Sequence, residues 1–172
     1  MKYTEKTLES NYSDNLNKAK QALRNLDFVC GVELDFKGLN GWVFEQTIRK
    51  CLIDELVDKL QSYDVREQET LKGRATVDLV LGRAAIEIKS GGLFKDESEK
   101  YAKLRTAAIG KGWEYLYITR DETYVPFKES AKKAFGEDKA FFLNEEGTWM
   151  KFVEKVIEIN RVDISNQKLE EC

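Results

Sequence analysis

Asp78, Glu87 and Lys89 fall within one short apolar stretch, TVDLVLGRAAIEIKSGG, that spans residues 76–92. Two acids and a lysine so placed suit phosphodiester hydrolysis, which needs a cation-binding carboxylate pair, an activated water and a positive charge near the phosphate. The chain contains no histidine, so acid–base or metal chemistry falls to carboxylates, lysines, tyrosines or bound water. Oxygen donors of this kind favour hard ions such as Mg²⁺, with Mn²⁺ able to substitute. Cys30, Cys51 and Cys172 are scattered with no CxxC pair, which argues against structural zinc or an iron–sulfur cluster. They read as reduced thiols, and Cys51 as a packing residue on an apolar helix.

Spacing is what makes the three residues a candidate site. Ala75–Leu81 and Ala84–Lys89 read as strands joined by Gly82-Arg83, a two-residue turn with glycine first, as a type II′ hairpin prefers. That register sets Leu81 across from Ala84, Val80 from Ala85, Leu79 from Ile86 and Asp78 from Glu87. Alternation puts Lys89 on the face of Glu87, and Leu79, Leu81, Ile86 and Ile88 on the other. Like charges directly opposite one another destabilise a sheet, and a divalent cation between them relieves the repulsion. Lys89 could orient or deprotonate a bound water, or neutralise charge on the phosphate. The tripeptide [DE]-x-K alone carries little information: it recurs as Asp35-Phe36-Lys37 and Glu137-Asp138-Lys139, neither of which follows an apolar strand with a facing acid.

The stretch resembles the core motif of PD-(D/E)XK nucleases, with Asp78 as the first acid and Glu87-Ile88-Lys89 as the (D/E)XK; Val77 stands where the motif has proline. The resemblance implies that Asp78 and Glu87 are metal ligands and Lys89 the catalytic lysine. Many members place a further acid on the preceding helix, and Glu45 fits that role, against the simpler reading of a Glu45–Arg49 pair. The helix after the motif sometimes contributes a polar residue; Lys100, Tyr101 and Lys103 are the candidates, with Lys100 and Lys103 as possible nucleic-acid contacts. The implied activity is Mg²⁺-dependent endonucleolytic cleavage of DNA, restriction-type or resolvase-like, by a homodimer. An RNA endonuclease with the same site, or a non-catalytic nucleic-acid-binding module, are the alternatives.

The elements that must position these residues follow from periodicity. Leu16, Ala19, Leu23 and Leu26 predict a helix over 13–26 behind a Ser13/Asp14 cap, and Phe44, Ile48, Leu52, Leu56 and Leu60 a second from about Gly41 to Leu60, capped by Asn40. The span 28–36 is ambiguous. Tyr63–Leu71 alternates and is polar enough for an edge strand. Asp96-Glu97-Ser98-Glu99 is a capping box opening a helix to about Lys111, and Trp113–Thr119 is a strand whose Trp113, Tyr115 and Tyr117 line one side. A helix from Pro126 to about Phe135, a short strand at Ala140–Leu143 and a helix from Thr148 to about 160 complete the chain, the last dozen residues reading as frayed. The expected fold is α/β, a restriction endonuclease-like αβββαβ core in which a central mixed sheet is flanked by helices.

Bulk properties set the frame. With 172 residues, 42% hydrophobic and 34% charged, the chain reads as one globular domain over 1–172, its core at about 41–143. No apolar run could cross a bilayer, and a cytoplasmic location without a membrane partner is expected. The formal charge is −3, yet Lys72 to Lys133 carries 13 Lys or Arg against 9 Asp or Glu, a basic middle able to meet phosphates.

Overall fold

The structure is a computed structural model describing residues 1–30, 38–58, 64–73, 75–120 and 123–170, with the side chains of 26–30, 72 and 162–170 outside that description. In chain order the elements are α1 (Glu5–Cys30), α2 (Leu39–Leu56), β1 (Val65–Lys72), β2 (Ala75–Leu81), β3 (Ala84–Lys89), α3 (Lys95–Gly110), β4 (Glu114–Thr119), α4 (Val125–Phe135), β5 (Ala140–Phe142) and α5 (Thr148–Glu170). The strands form one sheet in the order β1-β2-β3-β4-β5. The first three pair antiparallel and the last three parallel, so the sheet is mixed.

Alternation along the strands explains the layering. Leu79, Leu81, Ile86, Ile88, Leu116 and Ile118 face a core closed by α1, α2 and α5. Val80, Ala85, Tyr115 and Tyr117 face a second core built with α3 and α4. A central strand buried on both faces must be apolar on both, and β3 is: of its six residues only Lys89 is not buried. Glu87 is therefore a charged group placed where the sheet otherwise admits only apolar side chains.

The β2–β3 hairpin has the expected bounds, and its turn glycine, Gly82, adopts φ +57° while Arg83 does not enter the positive-φ region, as a II′ turn requires. β1 lies at the sheet edge, as its polar alternation predicts, and Trp113, Tyr115 and Tyr117 do line one side of the sheet. Helix termini differ from expectation. α1 begins at Glu5, so Ser13 and Asp14 lie inside it and do not cap it. Its N-terminus is held by Thr4 and Thr7, where the Thr4 N–H donates to Thr7 Oγ1 at 2.7 Å. Asn40 is likewise inside α2, whose N-cap is Gly38 in left-handed backbone with no side-chain cap. α2 ends at Leu56, and Leu60 and Tyr63 lie outside the described residues, as does most of the ambiguous 28–36 span. The α3 cap sits two residues before Asp96, where Glu97 Oε2 accepts the Phe94 N–H at 3.2 Å. α5 continues to Glu170 instead of fraying after about residue 160, since no glycine or proline interrupts it. No described helix is long and apolar enough to cross a membrane.

Candidate active site at the parting of β2 and β3

The β2–β3 ladder runs from Leu81↔Ala84 to Leu79↔Ile86 and stops there. β3 stays paired with β4 as far as Lys89↔Thr119, so it is β2 that separates. The expected direct pairing of Asp78 with Glu87 is accordingly not part of the ladder. Asp78 instead uses its side chain: Oδ2 accepts the Ile88 N–H at 2.8 Å, replacing a strand partner. This single hydrogen bond fixes the first acid beside the Glu87-Ile88-Lys89 segment.

Glu87 is 3% exposed, and its two oxygens are fully engaged. Lys89 Nζ lies 2.6 Å from Oε1, the Tyr101 hydroxyl donates to the same oxygen at 3.1 Å, and the Tyr115 hydroxyl donates to Oε2 at 2.9 Å. Phe135 of α4, fully buried, packs 5.5 Å from the Tyr101 ring and 4.9 Å from the Tyr115 ring, so the aromatic core orients both hydroxyls. Tyr101 is thus drawn into the site, while Lys100 lies 5.1 Å from the same ring and Lys103 is exposed on that helix. Tyr115 is a site residue that the sequence did not single out. It was legible there only as one member of an alternating aromatic strand.

Glu45 makes the simpler pair with Arg49 and also lies within reach of Asp78 through Gln68. Arg49 Nη1 donates to its Oε1 at 2.9 Å, and Gln68 Nε2 reaches the same oxygen at 3.3 Å and Asp78 Oδ1 at 3.5 Å. Gln68 is a second residue that sequence reasoning missed. Arg49 also pairs with Glu67 of β1. The site thus joins α2, β1, β2, β3, α3 and β4.

The electrostatics follow from burial. Burial pushes the Asp78 carboxyl above its ordinary range, with the Glu45 charge adding and the Ile88 N–H and Lys89 opposing. Burial likewise raises Glu87, with Asp78 adding and Lys89 and Tyr115 opposing. For Lys89 burial is the largest influence and works against the ammonium, but the Glu87 charge and hydrogen bond, with Tyr101 and Asp78, together outweigh it and hold the pKa above that of an ordinary lysine. Burial raises both tyrosines as well, with the Glu87 carboxylate adding. Their hydroxyls remain donors at neutral pH.

No family model, curated protein or solved structure matches this chain. What the site can do follows from its own groups. Four acids, Glu45, Glu67, Asp78 and Glu87, stand against two cations, Arg49 and Lys89. The formal surplus of two negative charges, on oxygen donors only, fits a divalent hard cation in charge and in chemistry. Among the described residues no three His, Cys, Asp or Glu side chains are gathered closely enough to hold an ion as they stand. The Glu87 oxygens are turned toward the tyrosines, and Lys89 would have to release one of them for Asp78, Glu87 and Glu45 to share a cation.

Proposed function

We propose that the chain is a metal-dependent endonuclease of the PD-(D/E)XK type that hydrolyses phosphodiester bonds in DNA. The observation that carries the reading is the Asp78 carboxylate on the Ile88 N–H, which fixes the first acid beside Glu87 and Lys89 where β2 leaves β3. The order α2, three antiparallel strands, α3 and a further strand is consistent with a restriction endonuclease-like core, although the edge strand β5 and the helices α1, α4 and α5 lie outside that order.

A divalent cation on Asp78, Glu87 and Glu45 would supply Lewis acidity at a phosphate oxygen and a water of lowered pKa. The protein groups do the rest. Lys89 is an ammonium at neutral pH while Glu87 holds it, and on releasing that carboxylate it would place its positive charge against a non-bridging phosphate oxygen. Tyr101 and Tyr115 anchor Glu87, so that its carboxylate is oriented before substrate arrives. Phosphate contacts fall naturally to the lysines of the basic middle, Lys100 and Lys103 among them, and a two-fold dimer would present one such site to each strand of a duplex.

The decisive experiment is incubation of supercoiled plasmid with the protein in Mg²⁺, Mn²⁺ or EDTA. Nicking or linearisation is expected with either metal and not with EDTA. Cleavage that persists undiminished in both Asp78→Ala and Lys89→Ala would remove this site from consideration. Parallel incubation with RNA of matched sequence tests the choice of DNA.

A further inference from the structure

β1 pairs with β2 in a regular register on both sides of one position. Glu67 faces Leu79 and Glu69 faces Val77, which sets Gln68 across from Asp78. At that position the backbone turns left-handed, with φ +51°, and among the described residues no other non-glycine has a positive φ. A glutamine there is costly: its Cβ crowds the backbone, glycine would sit without strain, and no tight turn at this point demands the conformation. Strain kept in mid-strand usually serves a site, and a local departure of this kind re-aims a side chain. Here it aims the carboxamide at two acids, with Nε2 3.3 Å from Glu45 Oε1 and 3.5 Å from Asp78 Oδ1. The Thr76 hydroxyl donates to Gln68 Oε1 at 3.3 Å, which sets which end of the amide faces the carboxylates.

We propose that Gln68 is a positioning residue whose carboxamide holds the Glu45 and Asp78 carboxylates converged on the place of the divalent cation. The inference rests on the endonuclease reading and extends it to a residue outside the motif. Glu45 belongs to α2 and Asp78 to β2, and like charges on separate elements drift apart unless something neutral bridges them. A neutral amide donor does this without cancelling the charge the cation needs. Arg49 anchors the far side of Glu45, and the Ile88 N–H anchors the other oxygen of Asp78. Among the described residues, Gln68 is the group that touches both acids.

The test reads metal binding, not turnover. Mn²⁺ is titrated calorimetrically into the 172-residue protein and into Gln68→Gly, Gln68→Ala and Asp78→Ala, and melting temperatures are measured in EDTA. Gln68→Gly removes both strain and amide. It is expected to melt roughly 2–4 °C higher while binding Mn²⁺ about tenfold more weakly, a loss equivalent to one good hydrogen-bonding contact. Gln68→Ala keeps the strain, and is expected to show the same loss of affinity without the gain in stability. Unchanged Mn²⁺ affinity in both variants, alongside lost binding in Asp78→Ala, overturns the role of Gln68 and leaves the metal site standing. Wild-type protein that binds Mn²⁺ no better than Asp78→Ala overturns the metal site, and the inference with it.

Discussion

Lys89 and Asp78 carry the sharpest consequences for single side chains. Because Glu87 holds Lys89 protonated, removal of the ammonium takes away charge stabilisation and not a base. Lys89→Ala is expected to lower the rate of Mg²⁺-dependent cleavage about 10²–10³-fold, as for loss of one preorganised donor at a transition state. Its pH–rate profile should keep its shape, a point checked by single-turnover kinetics from pH 6 to 9; loss of a titrating limb in the variant would make Lys89 a base after all. Asp78 has a raised pKa from burial first and Glu45 second. An acid that binds its proton more tightly when folded loses stability as pH climbs from the ordinary carboxylate range through the folded pKa. Asp78→Asn should therefore melt higher than wild type at neutral pH, with the gap closing as pH falls to about 4. Melting curves across that range check the point, and a gap independent of pH would contradict the burial argument.

The hairpin that bears the site is fastened at its turn by a residue from the far end of the chain. Asn160 of α5 accepts the Arg83 N–H at 3.0 Å through Oδ1 and donates from Nδ2 to Leu81 O at 3.2 Å and Val156 O at 2.8 Å. A Cβ on Gly82 would lie 2.0 Å from that Oδ1, in addition to the cost of its φ of +57°. Asn160→Ala strands two backbone groups and is expected to cost about 1–3 kcal/mol. Gly82→Ala should cost at least as much. The double variant should be less destabilised than the sum, because the alanine methyl then meets no carboxamide. Urea melts of the four proteins give the coupling directly; strict additivity would mean that the turn and α5 do not meet as described.

Beyond the hairpin, α1 closes the core on the side of the sheet facing α2 and α5. Leu8 and Tyr12 are 2% and 4% exposed. Glu5 Oε1 accepts the Trp149 N–H at 2.7 Å, Glu55 accepts the Lys2 N–H, and Arg120 grips Glu9 with two nitrogens, tying α1 to α5, α2 and the end of β4. Their link to the site runs through backbone, where the Arg120 N–H donates to Lys89 O at 3.3 Å. Leu8→Ala is expected to destabilise by about 2–4 kcal/mol, or roughly 5–15 °C in melting temperature, with Mn²⁺ affinity unchanged well below the transition. Calorimetry and metal titration on the same preparation would separate the two; a parallel loss of affinity would tie α1 to the site.

Local rules were enough for what lies close together in the chain. Alternation and a Gly-Arg turn determined β2, β3, their register and the shared face of Glu87 and Lys89, because a tight hairpin leaves its strands only one pairing. The apolar stripe of α2 and the proline at the start of α4 were legible from local signals too, while helix ends were not: Thr4 with Thr7 outcompeted the Ser13/Asp14 signal once Leu8 and Tyr12 had a core to enter. Distant partners were decided only by the fold. Tyr101 and Tyr115 reach Glu87 from 14 and 28 positions away, and Gln68 meets Glu45 and Asp78 from a polar edge strand whose composition gives no sign of it. Where β2 leaves β3 was also beyond the sequence, since the pairing gives way where the Asp78 side chain offers the Ile88 N–H an acceptor. Periodicity tells which face a residue takes; which residues share that face from other elements depends on how the elements pack.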